Sequence, residues 1–231
     1  MTDGLFEGSV YFGVCVSLAA YAAGVWLRKK TGWSFMNPLL VSIVLVIAAL
    51  LVCGIGYGTY NESASWLSYL LTPATVCLAV PLYQQVDLLR KNSRAIICGI
   101  VGGALSGMTT VLLLALLFGF SHEAYVTFLP KSITTAIGMG VSEELGGIVS
   151  VTVVSIIVTG VLGNIMAEKV LAWLKIDEPV AKGIAIGSSS HAIGTAKAME
   201  MGMVEGATSG LSIVVSGILT VVGASLFALF L

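Results

Sequence analysis

The chain has 231 residues, of which 57% are hydrophobic and only 10% are charged. Soluble domains carry about 25% charged residues, so this composition excludes an ordinary soluble protein and predicts an integral membrane protein. The formal net charge of −1 gives no sign of nucleic-acid binding. At about 20 apolar residues for each membrane-spanning helix, the length allows about seven or eight membrane segments and leaves no room for a soluble domain.

The residue types that carry catalysis and metal binding are sparse and scattered. The cysteines lie singly in apolar runs, at Cys15, Cys53, Cys77 and Cys98. They form no C-x-x-C pair, so neither a zinc site nor a thiol relay is predicted. His122 and His191 are far apart in the sequence, and no G-x-S-x-G elbow is present. We therefore expect no metal, no cofactor and no enzymatic activity.

The first apolar run, 9–27, is followed by the basic triplet Arg-Lys-Lys at 28–30. Basic residues are enriched on the cytoplasmic side of membrane helices, which predicts that the N-terminus lies outside. The start of the chain is acidic rather than basic, so this run is a retained span and not a cleaved signal peptide. A second span, 37–55, enters through Pro38, which suits a first helical turn.

The glycine-rich residues 54–61 predict an external turn, and residues 66–83 predict a third span that contains Pro73 and Pro81. A second basic cluster at 87–94 then returns the chain to the cytoplasmic side. The fourth span, 95–120, carries a Gly103-x-x-x-Gly107 motif, which favours close helix packing.

Residues 129–147 are too short and too polar for a helix that faces lipid. If the lysines that follow the next span, 147–172, are cytoplasmic, this segment must enter and leave on the same side. We therefore predict a re-entrant or broken segment that begins at Pro130. Glu143 and Glu144 within it form either a cation or proton site or a solvated loop.

A second polar interruption, 183–202, reads G-I-A-I-G-S-S-S-H-A-I-G-T-A-K-A-M-E-M-G. Polar groups in hydrocarbon are costly unless they are satisfied, so irregular polar backbone at depth lines a cavity or packs within protein. We predict half of a transport site here, with a kinked structural helix as the alternative, and a final span at 209–231. The predicted helix breaks of the whole chain are Pro38, Pro73, Pro81, Pro130, Gly187 and Gly194.

The two interruptions suggest an internal repeat within a single membrane domain, 1–231. Residues 72–117 parallel residues 189–229, so the repeat halves would be 1–120 and 121–231. With the predicted topology, the halves run in opposite senses across the membrane. Many secondary transporters build a midplane site from such inverted halves, although the low residue identity leaves chance similarity open.

Four segments resemble the LrgB family of membrane proteins: N-P-L-L at 37–40, V-P-L-Y-Q-Q at 80–85, L-P-K-S-I-T-T-A-I at 129–137 and G-S-S-S-H-A-I-G-T-A-K-A at 187–198. The resemblance covers nearly the whole chain, in the right order and spacing, and the two long motifs are highly specific. One departure is Ala136, where many members carry proline after the paired threonines. Its absence softens the predicted local break.

The resemblance implies one of two functions in a bacterial cytoplasmic (inner) membrane. Some members are implicated in uptake or export of small monocarboxylates such as pyruvate, and a plastid relative exchanges glycolate and glycerate. The family was first described as antiholin-like regulators of murein hydrolases and usually pairs with a small LrgA/CidA-type membrane protein.

A small carboxylate needs positive potential and oriented donors, and helix N-termini supply both through unpaired N–H groups and the helix dipole. Pro130 followed by hydroxyl residues fits one such helix start, and the serine cluster fits a second, with a serine as the N-cap. The predicted substrate-binding residues are Lys131, Ser132, Thr134, Thr135, Ser188, Ser189, Ser190, His191, Thr195 and Lys197.

Each charged member of this set has an alternative role. Lys131 is the candidate counter-charge, but a lysine here also fits snorkelling to the interface. His191 is the natural proton carrier and, with Glu143 and Glu144, the predicted ion-coupling group; the alternative is a satisfied buried histidine. Lys197 has the i, i+3 spacing to pair with Glu200 instead of a substrate.

We therefore predict an all-α polytopic membrane helix bundle with two broken or re-entrant elements. Its expected function is secondary transport of small monocarboxylates (pyruvate, glycolate, glycerate or lactate) by alternating access, coupled to protons or sodium. The alternative is a holin-like or antiholin-like regulator of murein hydrolase activity and membrane permeability that acts with an LrgA/CidA-type partner. Further small-residue motifs, Gly202-x-x-x-Gly206 and Gly206-x-x-x-Gly210, predict a homo-oligomer or a complex with that partner.

Overall fold

A computed structural model describes residues 9, 11–31, 37–70, 73, 76, 77 and 79–231. Every regular element in this described part is helical, which confirms the predicted all-α class. The chain divides into two compact units, Met1–Cys77 and Leu78–Leu231. The acidic N-terminal residues, on which the predicted external N-terminus partly rests, lie outside the described residues.

The first unit contains helices α1 (Phe12–Thr31), α2 (Pro38–Cys53) and α3 (Tyr57–Tyr69). The start of α2 is capped, because the Asn37 side-chain oxygen accepts a 2.8 Å hydrogen bond from the Leu39 N–H. Pro38 occupies the first turn of α2, as predicted.

The boundary of α3 corrects the sequence prediction. Gly54 ends α2 in the left-handed conformation (φ 63°), which turns the chain within a few residues. The predicted external turn is therefore shorter than 54–61, and α3 already begins at Tyr57. Within the predicted span 66–83, α3 ends at Tyr69, residues 73, 76 and 77 are helical, and α4 begins at Ala79. Residues 71, 72, 74, 75 and 78 lie outside the described residues, so the span as a whole stays a prediction.

The second unit carries the remaining elements. They are helices α4 (Ala79–Gln84), α5 (Val86–Lys91), α6 (Ser93–Phe118), α7 (His122–Phe128), α8 (Thr135–Glu144), α9 (Val149–Trp173), α10 (Pro179–Met201) and α11 (Met203–Phe227), and the 3₁₀ turn Ala228–Phe230. Pro81 lies in the first turn of α4, whereas Pro73 lies between α3 and α4. Residue 72, where the first repeat segment begins, is outside the described residues.

Within the described residues, three helices are long and apolar enough to cross a membrane: α6, α9 and α11 with its 3₁₀ extension. Each is close to a predicted span. Helix α11 begins at Met203, six residues before the predicted start at 209, because only Gly202 separates it from α10. The apolar helix α2 has 16 residues and falls below this length.

Helices α7 and α8 form a hairpin. The chain leaves Thr127 near the end of α7 and returns to it, because the Thr127 hydroxyl oxygen accepts a 2.8 Å hydrogen bond from the Ile148 N–H. The Thr152 hydroxyl of α9 donates to the Thr127 carbonyl at 2.8 Å and lies 2.7 Å from the Ser142 hydroxyl. The segment from 128 to 142 therefore projects beyond Thr127 and comes back, which makes its turn, 129–134, the tip of a hairpin.

Helix α10 is also a hairpin, although its backbone is helical on both sides of the reversal. His191 has φ 41° and ψ −140°, outside the helical region, and divides α10 into arms 179–190 and 192–201. A Cβ atom on Gly194 would lie 3.4 Å from the carbonyl oxygen of Ile186. Residues eight apart in an unbroken helix are separated by about 12 Å, so the second arm runs back beside the first.

Helices α9 and α11 both flank this folded helix. Ile186 of the first arm and Ala198 of the second belong to one buried apolar cluster with Ala167 and Leu171 of α9. On the other side, a Cβ atom on Gly187 would overlap the Ser209 carbonyl oxygen of α11. The absence of a side chain at position 187 is therefore what lets the backbones of α10 and α11 approach each other.

We expect Gly187→Ala to destabilise the second unit by about 1–3 kcal/mol, the usual effect of overpacking a filled interface. The new methyl group meets a backbone carbonyl, which has no rotamer to move aside. The matched control is Gly102→Ala in α6, where an added Cβ has no neighbour within 4 Å. Thermal unfolding of the purified protein in detergent measures both, and equal transition temperatures for the two variants would contradict the observed packing.

Candidate functional site

Helix α6 carries a glycine platform that touches both hairpins. A Cβ atom on Gly103 would lie 2.7 Å from the Ser188 hydroxyl of α10, and one on Gly107 would lie 3.9 Å from the Ser132 hydroxyl in the α7–α8 tip. Residues four apart on a helix are about 6 Å apart and share a face. Ser132 and Ser188 therefore lie about one turn from each other, near the middle of the 26-residue α6.

Helix α9 also joins the two tips near its middle. The His191 Nε2–H of the α10 tip donates a 3.0 Å hydrogen bond to the carbonyl oxygen of Ile156. The side chain of the same Ile156 fills the space left by Gly138 of α8. A Cβ atom on Gly160, one turn further along α9, would lie 2.7 Å from the His191 ring.

Helix α11 also contacts both hairpins. Ser212 packs against Gly187 of the α10 first arm, where a Cβ would lie 2.8 Å from the Ser212 Cβ. Gly217 lies against Ile137 of α8, at 3.2 Å for a Cβ atom on the glycine. The two hairpins thus contact α11 about 7.5 Å apart along its axis. On each of three helices, the contacts of the two hairpins therefore lie within about one to two turns of each other. We call residues 130–134 and 188–191 the tip junction.

Two helices have their N-termini at the tip junction. Helix α8 starts there, with Thr134 as an extended N-cap residue (φ −66°, ψ 147°) whose side chain caps no backbone N–H. The second arm of α10 starts there as well, directly after His191. The first N–H groups of each helix have no intrahelical acceptor and carry the positive end of the dipole, so the junction favours an anion.

Lys131 adds a positive charge to this junction. Its ammonium group donates a 3.0 Å hydrogen bond to the Ser132 hydroxyl, and its side chain is half-buried. No carboxylate among the described residues lies in ion-pair contact with Lys131. A half-buried ammonium without a carboxylate partner is a ready counter-charge for an anionic ligand.

The backbone at His191 corrects the predicted positions of the break. The reversal occurs at His191 rather than at Gly187 or Gly194, and the two glycines instead allow close packing on either side. The strained residue is fixed from several directions. Thr195 donates to the His191 carbonyl at 2.9 Å and also lies 2.6 Å from the Ser209 hydroxyl of α11.

The serine cluster also differs from its predicted role as an N-cap. The hydroxyls of Ser188 and Ser189 donate to the carbonyls of Ile184 and Ala185, both at 2.7 Å. Because the break comes after the cluster, these serines end the first arm and do not start the second. The Ser188 hydroxyl still packs against Gly103 of α6, whereas Ser190 packs on Gly163 of α9.

Some predicted site residues do not reach the junction. Lys197 forms ion pairs with Glu168 of α9 at 2.8 Å and with Glu200 at 3.2 Å. These contacts tie the second arm to α9, away from the tip. Glu143 and Glu144 are exposed at the far end of α8. Of the predicted ion-coupling residues, only His191 lies at the junction.

An elongated cavity of about 570 Å³ runs between α6 and the first arm of α10. Asn92 and Glu178, at the starts of these two helices, line one end of it, and Gly103 and Ser188 line the other. The cavity therefore extends from the helix ends to the tip junction. A second, mainly apolar cavity of about 140 Å³ lies between α9 and α10 and includes Ser189 and Ser190 in its lining.

Sequence reasoning missed the contribution of α11. Its hydroxyl residues repeat at four-residue spacing, a pattern that places them on one helical face: Thr208, Ser212, Ser216 and Thr220. The same reasoning treated Gly103 and Gly206 as surfaces for another chain. Both face partners within this chain instead, Ser188 for Gly103 and Met199 for Gly206.

A family model for the LrgB-like family matches residues 17–230. The antiholin-like protein LrgB of Bacillus subtilis is 39% identical over 214 residues, 92% of this chain and 93% of that protein. The holin-like protein CidB of Staphylococcus aureus is 35% identical over 207 residues, 90% of each chain. No solved structure matches the chain. The chain belongs to the LrgB-like family and, with its apolar helices, is a multi-pass membrane protein.

We expect cysteines placed at Ser132 and Ser188 to be joined by a bifunctional thiol reagent whose reach is about one helical turn, about 5–6 Å. The background is a chain in which the native cysteines, all exposed, are replaced by serine. Mass spectrometry of a protease digest identifies the joined peptides.

The control pair is Ser132→Cys with Glu200→Cys, which lies at the far end of the α10 second arm. Nine residues separate position 200 from the break, about 13 Å along a helix. We expect efficient joining of position 132 to position 188 and little joining of position 132 to position 200. Equal yields for both pairs would show that the tips do not meet.

Proposed function

We propose that this LrgB-family chain is a carrier for small monocarboxylates, with its binding site at the tip junction. The observation that carries the proposal is the convergence of two helix N-termini and Lys131 in the middle of three long helices. A carboxylate there would accept hydrogen bonds from backbone N–H groups and balance the lysine charge. Ionisable residues at depth in a membrane are costly, and they commonly mark substrate or ion pathways.

The hairpins also suggest how access alternates. In this proposal α7–α8 enters from the outer face and α10 from the cytoplasmic face, so each tip closes the site from one side. The cavity between α6 and α10 would then be the cytoplasmic path, open in the described conformation. Movement of the α10 tip away from α6, with closure on the other side, would expose the site to each face in turn.

His191 is the proposed ion-coupling group. Its Nε2 carries a hydrogen because it donates to the Ile156 carbonyl, which leaves Nδ1 to bind or release a proton. A proton on Nδ1 would add positive charge beside a bound carboxylate. Coupling to sodium through junction hydroxyls is the other form of the same proposal.

The proposed arrangement in the membrane follows from these hairpins and the basic clusters. We propose about seven or eight membrane segments, two of them re-entrant, in one domain of 1–231 with inverted halves 1–120 and 121–231. The N-terminus would lie outside a bacterial cytoplasmic membrane, as the basic residues 28–30 favour. No cofactor and no catalytic step belong to this proposal.

A second candidate function has more direct support from the names of the relatives. Those names are antiholin-like LrgB and holin-like CidB, which favour control of membrane permeability and murein hydrolases together with an LrgA/CidA-type membrane partner. Lipid-facing helices would then carry the function. Exposed apolar residues of α2, such as Val44, Ile47 and Leu51, offer one such surface for the partner or for a second copy.

We expect the purified protein in liposomes to take up labelled pyruvate, glycolate or lactate, and Lys131→Ala to reduce uptake about 10- to 100-fold. This range corresponds to the loss of a hydrogen bond that involves a charged group. His191→Ala should also remove uptake, because it deletes both the proton carrier and the contact with Ile156. Lys29→Ala, an exposed lysine at the end of α1, is the matched control and should transport normally.

Empty liposomes at neutral pH correct for permeation of the protonated acid. Circular dichroism and thermal unfolding establish that each variant is folded. Wild-type uptake that is unaffected by either substitution would remove both residues from the mechanism. Absence of wild-type uptake, combined with autolysis that depends on the small partner in cells and ignores both substitutions, would favour the holin-like function instead.

A further inference from the structure

Ser216 of α11 is a buried group that the site described so far does not use. Its side chain is only 2% exposed. Among the described residues, its hydroxyl oxygen is the one buried side-chain nitrogen or oxygen without a hydrogen-bond partner. A buried hydroxyl without a partner destabilises the folded state, so its presence calls for a ligand or another explanation.

The neighbouring hydroxyls of α11 show what Ser216 does not do. Ser212 donates to the Thr208 carbonyl four residues earlier, at 2.7 Å, and Thr208 donates to the Val204 carbonyl at 2.8 Å. This bond back to the preceding turn is the usual way in which serine and threonine are satisfied inside a helix. Ser216 makes no such bond with the carbonyl of Ser212, so its hydroxyl is not satisfied by its own helix.

The position of Ser216 along α11 lies between the contacts that this helix makes with the two hairpins. One turn earlier, Ser212 packs on Gly187 of the α10 first arm, and one residue later, Gly217 packs on Ile137 of α8. Ser216 therefore lies between the two contacts, at the level where the hairpin tips meet. Both helix N-termini of the tip junction begin at this level.

We propose that the Ser216 hydroxyl donates a hydrogen bond to the oxygen on C2 of the transported acid, which makes the site selective for 2-oxo and 2-hydroxy acids. This inference rests on the proposed carrier function. The carboxylate carries the charge, so it takes the helix N-termini and Lys131, where charge-assisted hydrogen bonds are strongest. The neutral hydroxyl is left for the neutral oxygen on the adjacent carbon.

A hydrogen bond of this kind favours the acid whose C2 oxygen can accept it. An acid without an oxygen on C2, such as propionate, would leave the buried Ser216 hydroxyl unsatisfied in the complex as well as in the free protein. Sites built to hydrogen-bond a substrate oxygen discriminate strongly against analogues that lack it, for this reason. Pyruvate, lactate and propionate share a three-carbon skeleton, so they isolate the contribution of that one oxygen.

The test is uptake of pyruvate and of propionate into liposomes by the wild-type protein and by Ser216→Ala. We expect the ratio of kcat/KM for pyruvate to that for propionate to fall about fivefold to tenfold in the variant. The fall should come from pyruvate, with propionate uptake unchanged. Because the substitution removes an unsatisfied hydroxyl, the Tm of the ligand-free variant should equal or exceed that of the wild type.

The matched control is Ser212→Ala, one turn away on the same face, which removes only a hydrogen bond within α11. It should keep the wild-type preference for pyruvate. A ratio unchanged by Ser216→Ala, or an equal fall for both acids, would overturn the assigned role and leave the carrier function standing. The carrier function and this role would both be refuted if the wild-type protein took up neither acid and its Tm did not rise on addition of pyruvate.

Discussion

A broken helix in the interior of a membrane protein must satisfy its exposed backbone groups, and this requirement governs the second unit. Lipid offers no hydrogen bonds, so each reversal of the chain depends on partners from neighbouring helices. At His191 those partners are present on both sides. The histidine side chain bonds to the backbone of α9, Asn164 of α9 donates to the Ile193 carbonyl at 2.8 Å, and Thr195 bonds to Ser209 of α11. The strained residue is over-determined, as residues at functional sites often are.

Glycine makes this arrangement possible by a simple steric effect. Each long helix presents a glycine where a hairpin touches it: Gly103 on α6, Gly160 on α9 and Gly217 on α11. Because glycine has no side chain at these points, the hairpins pack directly against the backbone of the long helices. The small residues of the sequence therefore pack helices against each other within one chain. The positive potential of the tip junction comes from two helix N-termini and Lys131.

The sequence predicts the class and the ingredients of this structure better than its geometry. Composition, basic clusters and apolar runs were sufficient to predict the long helices. The polar motifs identified the two segments, 129–147 and 183–202, where the apolar pattern is interrupted. The exact position of the reversal was beyond reach, because Gly187 and Gly194 are the breaks that the sequence favours and only tertiary contacts hold His191 at a positive φ.

The same contrast, between what sequence spacing predicts and what only tertiary contacts reveal, holds for individual polar side chains. Lys197 and Glu200 had the spacing of a local ion pair, and the structure contains that pair along with Glu168, a partner from α9 that spacing within one helix does not reveal. Ser216 was overlooked because its neighbours read as ordinary membrane-helix serines. Only the coordinates distinguish a hydroxyl that bonds to its own helix from one that has no partner.

The two hairpins are proposed to enter from opposite faces of the membrane, and the side on which their bases lie tests this most directly. Single cysteines at Glu144, at the end of α8, and at Glu200, near the end of α10, both lie at exposed positions. A membrane-impermeant thiol reagent is applied to right-side-out and inverted vesicles that contain a chain otherwise free of cysteine. We expect position 144 to react only from the outer face and position 200 only from the cytoplasmic face. Labelling of both positions from the same face would contradict it.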